Sequence, residues 1–233
     1  MTATEDVVDF VRSTTPPPAA RESATAELAR FAEAGRAGAE SSAVRALRAA
    51  LGTAEAGPVR TAWVSATAAG AGAEAGADGD GGPEWIAVCA AAGALEADPA
   101  RAAEATALGY AVAEHIATAL GTAHTDAGWA AQCTAGAIGA AAAAGRLLAL
   151  GALPTRHLLG LAATQAAGLA GARGTDAWAL QLGKTAANAV EAALLAGNGF
   201  TSSAEPLEGR RGLFALMSPG ARPPRDRLGA HWN

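Results

Sequence analysis

The residues best equipped for chemistry lie between positions 124 and 184. His124 and Asp126 stand two positions apart, a spacing at which an imidazole base can meet a carboxylate that orients it. Lys184 is the only lysine in a chain with sixteen arginines. Its ammonium is compact and can lose a proton when buried, which a guanidinium does not do. It suits a carboxylate contact or a proton transfer. Trp129, Gln132, Trp178 and Gln181 offer ring faces and amides, the lining of a pocket for a small-molecule ligand of low charge.

Each has a plainer alternative. Asp126 is also a good helix N-cap beside a surface His124. Lys184 on a helix is equally a solvated surface charge. The tryptophans and glutamines also read as ordinary packing. Among the other histidines, His115 lies on an apolar helix face and reads as a satisfied core or interface residue. His157 falls in an exposed first turn and His231 in the tail. Ser202 and Ser203, near Glu205, lack a nucleophile-elbow motif. Cys89 and Cys133 have no metal-ligand spacing and read as buried free thiols. No metal and no cofactor are expected.

The elements that must position these residues read as helices throughout. Thr4 can cap a helix over EDVVDFVRS that stops at Pro16, and a second starts within the proline run with Ala24, Leu28 and Phe31 on one face. Ser41 or Ser42 caps a third, ended by Gly52, and Pro58 to about Ala69 forms a fourth. Residues 69–83, AGAGAEAGADGDGGP, read as a flexible Gly-rich loop with no phosphate-binding lysine. Glu84–Ala97 follows, then a helix capped by Asp98 with Pro99 at its first position, stopped by Gly121. Thr125 or Asp126 opens a segment to Leu150 so apolar that it must be buried nearly all round. Further helices span Pro154–Gly171 and, from Thr175 or Asp176, to Ala196. The expected fold class is all-α: a helical bundle over residues 1–199 and an irregular tail, 200–233, packing on it.

Composition sets the limits. Hydrophobic residues make up 51% of the chain, much of this alanine, so helices should form readily and approach closely. A net charge of −5, without a basic patch, argues against nucleic acid. The N-terminus lacks a signal-peptide layout, and no strongly apolar run is long enough for a membrane span. The expected location is the cytoplasm, with no membrane partner.

Four stretches resemble the MmgE/PrpD family. They are GYAVAEHIATALG (109–121), GWAAQCTAGAIGAAAAAGRLLALG (128–151), LGLAATQAAGLAGARG (159–174) and LGKTAANAVEAALLAGNGFTSSAEPLEGRRGLF (182–214), in the family's order and spacing. The resemblance implies an all-α bundle that normally precedes an α/β lid domain, with the active site in the cleft between them. It implies lyases and isomerases of small polycarboxylates, among them 2-methylcitrate dehydratase and cis-aconitate decarboxylase. Asn233 falls about where the bundle would hand over to the lid, so a bundle standing alone is expected.

The departures bear on mechanism. Ala130 stands where the family has an active-site His, Gln181 where it has a second, Trp178 where it has a Lys, and His115 where it has an Arg. Only the basic residue after Gly183 remains, as Lys184. Elimination from a polycarboxylate needs a base and cations to hold the carboxylates; Ala130 and Gln181 supply neither. Two functions follow: a repurposed lyase- or isomerase-type enzyme carrying out elimination, isomerisation or cyclisation on a biosynthetic small molecule, with Lys184, His124 and Asp126 as catalytic candidates, or a non-catalytic ligand-binding or partner subunit. A homodimer is expected, with a lid-bearing homologous subunit as a further possible partner.

Overall fold

The computed structural model describes residues 2–53, 56–75, 84–221, 228, 229 and 232. Among these the elements are α1 (Ala3–Ser13), α2 (Pro18–Gly38), α3 (Ser42–Leu51), α4 (Pro58–Ala75), α5 (Ile86–Leu95), α6 (Pro99–Asp126), α7 (Ala131–Leu147), α8 (Ala152–Gln165), α9 (Asp176–Gly197) and α10 (Leu213–Met217), with a 3-10 turn at Ala170–Ala172. No strand occurs among the described residues; the sole β-type pairing there is an isolated bridge between Trp129 and Leu169. The fold is all-α, as the periodicity requires.

Helix starts follow local chemistry. Ser41 caps α3 through Val44 N, and Asp98 caps α6 through Ala100 N, with Pro99 at the first position. The first helix differs from expectation. Its cap is Thr2, which forms a reciprocal capping box with Glu5. Thr4 is instead buried, its N–H and hydroxyl both donating to Glu208 Oε2, which ties the tail to α1.

The interior is built on α5 and α7. Ile86 to Ala92 and Cys133 to Gly145 are buried without interruption. Around α7 pack α5, α6, α8 and α9, while α4 lies against α2, α5 and α9. Small residues set the spacing. A Cβ at Gly139 would come 2.5 Å from the Gly109 carbonyl oxygen, and one at Gly109 would come 2.8 Å from that of Gly139. The backbones of α6 and α7 therefore touch, a contact only glycine allows. Arg146, the one charge in this segment, emerges at the C-terminal end of α7. It donates to Glu104 Oε1 through Nε at 3.0 Å and to the Val11 and Arg12 carbonyls through Nη1.

Three boundaries depart from the sequence reading. The Gly-rich segment is helical as far as Ala75, extending α4 by almost two turns beyond Ala69; the rest of that expected loop, 76–83, lies outside the described residues. Packing overrides propensity here, because Gly70 and Gly72 let α4 press on α9 and α2. Gly121 does break helical geometry, with φ +64°, yet the turn resumes to Asp126, so the apolar helix begins at Ala131. Finally, α8 ends at Gln165 and leaves residues 166–175 as a strap. The tail carries α10, and Leu207, Leu213 and Phe214 are buried against the bundle. No helix among the described residues is long and apolar enough to cross a membrane.

Candidate functional site

The strap organises the region where the sequence placed its candidates. Trp129 pairs with Leu169, Ala130 N donates to Gly168 O at 3.0 Å, and Ala170 N donates to Gly128 O at 2.9 Å. The strap thus lies across the N-terminal end of α7. Gln181, on the second turn of α9, closes on it from the other side. Its Oε1 accepts from Leu169 N at 3.0 Å and its Nε2 donates to Leu169 O at 3.2 Å. Both ends of the amide meet the backbone of Leu169, so Gln181 holds the strap. Ala130, which the resemblance puts at a His position of the family, is 4% exposed beneath this layer.

His124 and Asp126 do not form a base and its orienter. Asp126 is exposed, whereas His124 is 1% exposed and packs away from it. The reason is the extra turn after Gly121, which rolls His124 inward against α7 and α10. Its Nδ1 lies 3.2 Å from Met217 O and its Nε2 2.8 Å from Thr134 Oγ1. A carbonyl can only accept, so we assign the ring proton to Nδ1, leaving Nε2 to accept from the Thr134 hydroxyl. The ring stacks on Trp129 with centroids 6.2 Å apart. Burial holds its pKa below the ordinary value, against a raising effect of the Met217 carbonyl. His124 is a neutral structural tie.

That tie predicts an acid sensitivity. In the unfolded chain His124 and His115 titrate near 6.5; in the fold both are held lower, chiefly by burial. Between the two values the unfolded chain binds more protons, so stability is full above 6.5 and is lost as pH falls through the folded values. Melting temperature is expected to drop between about pH 7.5 and about pH 5. A His124→Gln variant should show a shallower drop; an identical slope in the variant would refute the assignment to His124.

The other candidates diverge. Trp178 is buried, and the Arg173 guanidinium of the strap sits 4.2 Å from the centre of its ring. Lys184 is exposed, with Nζ 4.5 Å from the centre of the Trp63 ring on α4. Gly183 permits this, since a Cβ there would meet Trp63 O at 2.7 Å. Gln132 is half-buried, and its Oε1 is buried with no hydrogen-bond partner among the described residues. So Trp129, Gln181 and the strap are brought together, with the His124 ring stacked behind Trp129 but bonded toward α7 and α10, while Lys184 belongs to the α4 side. The partners that decide this, Trp63, Thr134, Leu169 and Met217, carried no signal in the sequence, because each acts through a fold contact rather than a motif.

Cys89 and Cys133 are free and buried, and desolvation raises their thiols to about 12 and about 11. Neither is a nucleophile at neutral pH. His157 is half-buried rather than exposed. Its Nδ1 accepts from Ser202 N at 3.1 Å, and its carbonyl accepts from Ser202 Oγ at 3.0 Å. Ser202 is thereby a link between α8 and the tail. His231 lies outside the described residues. No group of three or more His, Cys, Asp or Glu side chains converges for a metal among the described residues.

Fold and site together define an all-α domain whose polar side chains at the N-terminal ends of α7 and α9 are mostly tied to its own backbone. The MmgE/PrpD N-terminal domain family matches residues 74–226, more than half of the chain. The chain belongs to the MmgE/PrpD family, through its helical domain. No curated protein matches it.

Proposed function

We propose that this chain is a non-catalytic helical subunit that docks a second MmgE/PrpD-type subunit across the face bearing the strap and α9. The observation that carries the reading is the closure of Gln181, an amide that is neither acid nor base, on Leu169, whose side chain is 64% exposed. On α9, Leu180, the residue before Gln181, is 43% exposed. Large apolar side chains left exposed on the strap and on α9 favour burial by a partner.

Light scattering at micromolar concentration tests this, with the protein alone and mixed with a full-length family member. Association in either arm, above the 22.7 kDa of one chain, is expected. Leu169→Glu with Leu180→Glu should abolish it and leave the helical circular dichroism unchanged. A strict monomer in both arms, or association untouched by the double variant, would overturn the proposal.

A second reading keeps the small-molecule enzyme: a lyase- or isomerase-type elimination, isomerisation or cyclisation. Its support is the unpartnered Gln132 Oε1 and the ammonium of Lys184, one turn from Gln181. Turnover of a biosynthetic acid that is lost in Lys184→Arg at unchanged melting temperature would select it.

A further inference from the structure

Successive residues of α4 serve two faces. Trp63 meets α9 at Gly183 and Lys184. Val64 and Ala68 instead line a groove of about 820 Å³ between α2, α3 and α4, a volume within the range of small-molecule sites. Its apolar floor is Phe31, Val64 and Ala68, and Arg36, Arg48 and Arg60 line it as well.

The three arginines are not equivalent. Arg60 donates through Nη1 to Leu51 O at 3.2 Å and through Nη2 to Gly52 O at 2.8 Å, so it caps the C-terminus of α3. Arg48 reaches Ala39 O at 3.4 Å and Glu40 at 3.9 Å, with the two charged side chains 50% and 83% exposed. A pair that long and that wet contributes little and is easily exchanged. Arg36 is exposed, and its guanidinium, unlike its carbonyl, which accepts from Ala39 N, makes no hydrogen bond or ion pair among the described residues. Arg36 and Arg48 therefore keep donors in hand beside an apolar trough.

We propose that this groove binds a single-chain amphiphile with an anionic head, carboxylate or phosphate. The chain would lie on Phe31, Val64 and Ala68, and the head would take paired N–H bonds from Arg36 and Arg48. A planar guanidinium matches both oxyanions in this way, and charge-assisted bonds are the strong ones. The site lies apart from the strap and α9, and its occupancy is independent of the assembly proposed above.

Isothermal titration calorimetry on the full chain tests it with decanoate, decyl phosphate and uncharged decanol. Saturable one-site binding of decanoate or decyl phosphate is expected, and which head binds better identifies the source of the anion. Arg36→Gln with Arg48→Gln should weaken it by about tenfold or more while leaving any decanol binding unchanged. Gly35→Phe should abolish binding by filling the groove. A Cβ at Gly35 has nothing within 4 Å, so this variant should fold, as melting curves would verify. The proposal is overturned by absence of saturable binding for both anions, by equal affinity in the double arginine variant, or by binding to anionic vesicles alone.

Discussion

Given 2-methylcitrate or cis-aconitate, the purified protein is expected to turn over at least about 10²-fold, and up to about 10⁴-fold, below the roughly 10 per second of an ordinary enzyme. Removing one general acid or base has an effect of that size, and the resemblance puts Ala130 and Gln181 at two positions where the family would carry His. The structure strengthens the case. Ala130 lies under the strap, and Gln181 has both ends of its amide on Leu169. The nearby imidazole, His124, is buried with both ring nitrogens engaged. Lys184 rests on Trp63, on the α4 side of α9. Product formation followed by chromatography checks the prediction, and turnover near the ordinary value would mean that another group acts as base. Restoring Gln181→His should not rescue the reaction, because it removes two bonds that hold the strap.

A Gly72→Val substitution is expected to destabilise the fold by about 3 kcal/mol or more, at the upper end of overpacking effects. A Cβ at Gly72 would fall on the Ala34 carbonyl oxygen and 2.8 Å from Gly38 N. Its obstacle is backbone, which cannot swing aside as a side chain can, so α2 and α4 must separate. For a chain of this size the melting temperature should fall by roughly 6–12 °C. Gly35→Ala, on α2 and with nothing within 4 Å of its Cβ, should instead raise it, by up to about 1 kcal/mol of helix propensity. Thermal denaturation followed by circular dichroism separates the two. Equal effects would mean that Gly72 does not set the spacing between α2 and α4.

What the sequence determined by itself was whatever depends on neighbours along the chain. Asp98 before Pro99, Ser41 before the α3 stripe and Gly52 after it mark helix ends, because capping joins residues two or three apart. The burial of α7 follows from its lack of a polar face. The family was legible because its motifs are contiguous. Tertiary structure decided the rest. The glycines at 70 and 72 read locally as loop and became helix because α2 and α9 accept a side without Cβ atoms. Residues 166–169 read as helix and became a strap because Ala130 N donates to Gly168 O and Gln181 takes the backbone groups of Leu169. His124, read as either Asp126's partner or a surface residue, is buried and turned instead to Met217, 93 residues away. Contacts over such separations depend on which surfaces meet after the helices have formed, and no spacing along the chain encodes that choice.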